Sequence, residues 1–128
     1  MKVTEVLIEL MVEDVDASVN FYQEVLSFSL VADEFDQGKR YWALCDLNGF
    51  KISFKVAERL KKEVPFLRDK MIGGSTAICF KVDNLEGYYS QVKQQCEMLD
   101  HPHLTPCGAR AFSMLDNSGY VITIEIFD

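Results

Sequence analysis

The chain has 128 residues, enough for one domain of ordinary size, and 48% of them are hydrophobic, which supplies a packed core and excludes a disordered chain. Its formal net charge of -7 excludes the basic surface that nucleic acid attracts. No apolar run approaches the roughly 20 residues of a membrane helix, and the start lacks the basic-then-apolar layout of a signal peptide, so a cytoplasmic protein without membrane or nucleic-acid partners is expected.

In chain order, residues 1–13 hold the first strand, with Val6, Ile8, Leu10 and Val12 on one face. Asp14 or Asp16 offers a carboxylate to cap a helix that runs to about Leu26, with Val15, Val19, Tyr22, Val25 and Leu26 at helical spacing. Strands are expected at 28–34, 39–45 and 50–56, separated by turns at 35–38 and 46–49. Residues 57–74 are charge-rich, carry Pro65 and the Gly73-Gly74 pair, and read as a linker with a short helix at 57–62. The pattern then restarts. A strand at 75–82 leads to Asn84, which caps a second helix bearing Leu85, Tyr88, Tyr89 and Val92. Residues 101–106 read as an edge strand or loop because two prolines cannot donate to a ladder. Strands at 109–115 and 120–127 flank the turn Asp116-Asn-Ser-Gly119.

The two halves superpose at one offset of about 70 residues along the chain. Val12 matches Val82, Asp14 matches Asn84, Trp42 matches Phe112, Asp46 matches Asp116, and Gly49 matches Gly119. This register makes the chain an α+β protein of two tandem βαβββ modules within a single domain spanning 1–128: module one at 1–56, a linker at 57–74, and module two at 75–128.

Each strand then has one apolar face for its helix and one face for a cleft. Treating residues 46–49 as a four-residue turn puts Trp42 opposite Ser53, and the same geometry in module two puts Phe112 opposite Thr123 and Arg110 opposite Glu125. The expected ligand-binding set is Glu9, Trp42, Arg110, Phe112, Met114, Thr123 and Glu125, a mixture of aromatic, thioether and charged groups suited to a small-molecule cleft. The competing readings are packing for Trp42, Phe112 and Met114, and a plain cross-strand ion pair for Arg110 with Glu125.

The four cysteines lack a C-x-x-C pair and are expected to be free thiols. Cys79 faces the expected cleft with Lys81 two residues on, a neighbour that would lower a thiol pKa, although a buried inert thiol is the ordinary alternative. No G-x-S-x-G elbow or Gly-rich phosphate loop is present.

The stretch Val12-Glu-Asp-Val-Asp-Ala-Ser-Val-Asn-Phe-Tyr-Gln-Glu-Val-Leu26 resembles the strand-to-helix signature of the vicinal oxygen chelate superfamily, which includes glyoxalases, bleomycin resistance proteins and extradiol dioxygenases. The closing Asp116-Asn-Ser-Gly-Tyr-Val-Ile-Thr-Ile124 resembles that family's ending. The resemblance implies paired βαβββ modules, a homodimer, and in the enzymes a divalent metal held by His, Gln or Glu. Carried onto this chain, the four ligand positions are Leu7, Ser53, Ala77 and Thr123, and none is an imidazole or carboxylate. No metal and no cofactor is therefore expected. Two displaced donor groups remain conceivable: Glu9 with Glu125, and His101 with His103 and Cys107. The expected function is a binding protein like the bleomycin resistance proteins, sequestering an aromatic or cationic small molecule. The alternative is a glyoxalase-like lyase or dioxygenase with unusual ligands.

Overall fold

Residues 1–127 are described by a computed structural model, in which the chain divides into two compact units, one over Met1–Ile72 and one beginning at Gly73. In the first unit, β1 (Ile8–Val12) leads into α1 (Val15–Glu24), followed by β2 (Ser29–Asp36), β3 (Lys39–Leu47) and β4 (Phe50–Val56). The sheet order is β1-β4-β3-β2, with β1 parallel to β4 and the other pairs antiparallel. The first strand is shorter than expected because its ladder with β4 runs only from Ile8 opposite Ile52 to Val12 opposite Val56.

Asp14 caps α1, its carboxylate accepting from the Ala17 N–H at 3.1 Å. The helix ends where Ser27 turns into the left-handed region at φ 64° and the Phe28 N–H donates back to the Tyr22 carbonyl at 2.9 Å. Val15, Val19 and Tyr22 recur at helical spacing, are buried, and pack against β3 and β4, where Ala43, Cys45, Ile52 and Phe54 are buried too. Tyr22 is the hub: its ring lies 4.8 Å from Phe54 and 5.5 Å from Phe28. Residues 57–74 are more than a connector. They begin with α2 (Ala57–Glu63), which buries Leu60 and continues into a 3-10 turn at Pro65–Leu67.

The second unit repeats the plan. Strand β5 (Ala77–Lys81) leads to α3 (Leu85–Val92), capped by Asn84, whose side chain accepts from the Gly87 N–H at 3.1 Å. The edge strand is broken in two, β6 (Glu97–Met98) and β7 (His103–Leu104), both on β8 (Arg110–Leu115). Pro102 falls in the gap, where a missing N–H costs no ladder bond. The last strand, β9 (Val121–Ile126), lies between β8 and β5 in the order β5-β9-β8-β6. Gly73, at the head of this unit, runs so close to the closing turn that a Cβ there would sit 2.8 Å from the Ser118 and Gly119 carbonyl oxygens.

The sheets match at the expected offset: Ile8 opposes Ile52, and Ile78 opposes Ile122. The hairpins do not. In the first unit Asn48 and Gly49 both have positive φ, 54° and 90°, and form a two-residue loop flanked by Leu47 opposite Phe50. Trp42 therefore opposes Lys55 rather than Ser53, a shift of two that leaves every face as expected. In the second unit's hairpin loop Gly119 alone has positive φ, and the Asp116 N–H donates to the Tyr120 carbonyl at 2.9 Å across a three-residue loop. The extra residue moves β8 by one, so Met114 opposes Ile122, Phe112 opposes Ile124 and Arg110 opposes Ile126. A slip of one exchanges the two faces of a strand.

Candidate functional site

That exchange corrects three of the expected site residues. Phe112 and Met114 are fully buried on the α3 side of the sheet, where Phe112 meets Tyr89 edge-to-face at 5.2 Å. Arg110 reaches the first turn of α3, with its Nε 2.7 Å from Glu86, and Glu125 opposes Ala111 instead. The face opposite α3 carries Ser113, Thr123, Glu125 and Cys79. Ser113 and Thr123 share a hydrogen bond of 2.9 Å between their hydroxyls, and the Ser113 N–H donates to Asp100 at 2.6 Å. Ser113 was not foreseen. The signal for it was Gly119, whose left-handed backbone belongs to a three-residue loop with a glycine bulge.

In the first unit the face opposite α1 carries the other expected residues. Glu9 and Lys55 flank Ser53, which is buried, and Trp42 stands beside Lys55 on the next strand. The Trp42 indole Nε1 donates to Glu9 Oε1 at 3.1 Å and the Ser53 hydroxyl donates to the same oxygen at 3.4 Å. The Lys55 ammonium lies 3.8 Å from it and 2.8 Å from Glu63 of α2. The hydrogen bond to Glu63, with Glu9 and Glu34 also acting on it, holds the Lys55 pKa above the usual lysine value against the opposing effect of burial. Three carboxylates thus surround one ammonium, and the face carries net negative charge beside a half-buried indole.

A second concavity of about 910 Å³ lies where the start of α1, the β2–β3 hairpin and α2 meet. Both of its arginines are held by carboxylates. Arg40 bridges Asp16 at 2.5 Å and Asp33 at 3.1 Å, while Arg59 pairs with Asp36 at 2.8 Å and stacks 3.6 Å above the Tyr41 ring.

The four positions that the resemblance assigns to metal ligands do not fit a divalent ion. Leu7 and Ala77 have no donor atom, Ser53 gives its proton to Glu9, and Thr123 is tied to Ser113. Among the described residues, no three His, Cys, Asp or Glu side chains gather closely enough to hold a metal. His103 Nδ1 lies 2.9 Å from its own neighbour's carbonyl at His101, and Cys107 lies 3.2 Å from the Thr105 hydroxyl.

All four cysteines are free thiols. Lys81 acts to lower the Cys79 thiol, as expected, but is outweighed. Desolvation and a hydrogen bond to Glu125 push that thiol up to about 11, although the residue is exposed. Burial raises Cys45 to about 11 as well. Cys107 is the opposite case, lowered by hydrogen bonds from Thr105 and the Ala109 backbone. Iodoacetamide at pH 8 should therefore alkylate Cys107 first, with Cys79 at least several-fold slower and Cys45 protected until unfolding. Peptide mass mapping over time reads the order, and Cys79 labelling ahead of Cys107 would refute it.

The profile of the Glyoxalase/Bleomycin resistance protein/Dioxygenase superfamily matches residues 6–124. The chain belongs to that superfamily. No curated protein sequence matches it. Solved structures of the same fold include a glyoxalase/bleomycin resistance protein/dioxygenase from Nocardioides, at TM-score 0.82 and 18% identity, covering 99% of this chain and 85% of that one. A family enzyme from Burkholderia phytofirmans PsJN is similar at TM-score 0.79 and 17% identity, covering 95% and 97%. A protein of unknown function from Agrobacterium tumefaciens str. C58 matches at TM-score 0.79 and 16% identity, covering 98% and 95%. At such identities the likeness concerns the fold. Within this superfamily member, no described helix is long and apolar enough to cross a membrane.

Proposed function

We propose that this superfamily member is a small-molecule-binding protein that takes an aromatic, cationic ligand on the first unit's open sheet face, without the divalent metal of the family's enzymes. The observation that carries the reading is the Glu9 carboxylate, held in place by the Trp42 indole and the Ser53 hydroxyl. The Trp42 indole, the Ser53 hydroxyl and the Lys55 ammonium all approach Glu9 at Oε1, which leaves Oε2 to face a positive charge. The indole beside it offers a π surface to a planar ring. Lys51 on this face is paired with Glu5, and the carboxylates gathered around Lys55 outnumber its ammonium, which favours a cation over an anion. Thr123 and Glu125 present the second unit's open face to the same class of ligand, whereas Arg110, Phe112 and Met114 take no part. The protein is proposed to work as a homodimer, and sedimentation showing monomer alone would remove that element.

The test is a thermal-shift panel of planar aromatic cations with uncharged ring analogues as controls. A cation that raises Tm in the wild type should lose about tenfold in affinity in Glu9→Gln, in line with one charge-assisted contact. Trp42→Ala should cost about as much again. A panel without any cation-selective shift would overturn the binding reading. Stoichiometric Ni, Zn, Fe or Mn in protein purified without chelator would overturn its metal-free part and favour a lyase or dioxygenase with unusual ligands.

A further inference from the structure

Three sulfur atoms converge at the β6 edge of the second unit's sheet, on its α3 side. Met98 on β6 opposes Met114 on β8, so their side chains share one face of the sheet. Cys96 enters that face from the turn after α3. Its Sγ lies 3.4 Å from the Met114 sulfur and 3.9 Å from the Met98 sulfur. Met114 is fully buried, and Cys96 and Met98 are half-buried, so the cluster has a closed back and an open front. In this hydrogen-bond pattern the thiol also points at the Val92 carbonyl, 3.5 Å away at the end of the helix.

We propose that Cys96, Met98 and Met114 form a binding site for a soft monovalent cation, Cu(I), through one thiolate and two thioethers. The spacing supports this. Metal–sulfur bonds of about 2.3 Å in a trigonal plane put the sulfurs about 4 Å apart, within a few tenths of an ångström of the longer separation seen here. The shorter one opens by a rotation of the flexible methionine. The donor set supports it too, because thiolate and thioether ligands select Cu(I) over the harder ions that imidazole and carboxylate take. No His, Asp or Glu is needed, and the site is unrelated to the four family positions at Leu7, Ser53, Ala77 and Thr123.

The experiment uses the full chain with the two exposed thiols removed by Cys79→Ser and Cys107→Ser, titrated anaerobically with Cu(I) buffered by bicinchoninate. This protein should take up one equivalent, and X-ray absorption should show about three sulfur neighbours near 2.3 Å. Adding Met98→Leu, a substitution of similar volume at a half-buried site, should weaken binding about tenfold without unfolding the protein. Adding Cys96→Ser should weaken it at least a hundredfold. Retained affinity in either added variant, or a two-sulfur site, would overturn the proposal.

Discussion

Phe112→Ala should lower the unfolding free energy by about 3–5 kcal/mol, because it empties a site that is fully buried among Tyr89 and the β8–β9 core. Urea unfolding followed by circular dichroism measures it as a drop in midpoint at unchanged slope. Phe112→Leu keeps most of the volume and should cost only about 1 kcal/mol. The number decides between two registers of one hairpin. A four-residue turn would place Phe112 on the open face, where truncation to alanine would cost well under 1 kcal/mol and would disturb ligand binding instead. Trp42→Ala, at the position that matches it in the repeat, should show that contrasting pattern: a modest stability loss and a clear loss of ligand affinity. A small effect of Phe112→Ala on stability would therefore sink the three-residue loop and the site assignment built on it.

Asp116→Ala should cost about 2–4 kcal/mol. Its carboxylate accepts from the Ser118 N–H at 2.8 Å and the Tyr120 N–H at 2.9 Å, and the residue is 7% exposed. Losing the acceptor strands two backbone donors in a nearly dry turn, and each stranded group costs about 1–3 kcal/mol. The matching change in the first unit, Asp46→Ala, should cost only about 0.5 kcal/mol. Asp46 makes one longer bond, 3.3 Å to the Gly49 N–H, and the Asn48-Gly49 loop is held by its own backbone preference. Thermal melts of the two variants side by side give the comparison. Equal shifts would show that the two turns, alike in sequence, are also alike in structure, contrary to the loop lengths described here.

Much of this molecule was legible before any coordinates. The caps at Asp14 and Asn84, the helical spacing of Val15, Val19 and Tyr22, and the alternation that buries Ile52 and Phe54, though it leaves Phe50 at the strand's start exposed, are local signals. The ladder between β1 and β4 recurs at the same offset between β5 and β9. The first unit's open face followed, since an error of two in the hairpin register leaves side chains on their own side. Glu9 was picked for its position, but the bonds to it from Trp42 and Ser53 cross between strands that are far apart in the chain.

What the sequence determined by itself was the family, the repeat and the absence of donor atoms at Leu7 and Ala77, since those depend on residue identity and on spacing along a strand. What the tertiary structure alone decided was which way β8 faces. Its residues alternate Arg110, Phe112, Met114 against Ala111, Ser113, Leu115, and both sets are apolar enough to be buried, so hydrophobic pattern does not choose between them. The choice was made by the closing turn: Gly119 in the left-handed region and the Asp116–Tyr120 bond add one residue to the loop, and one residue is all that separates a pocket wall from a core.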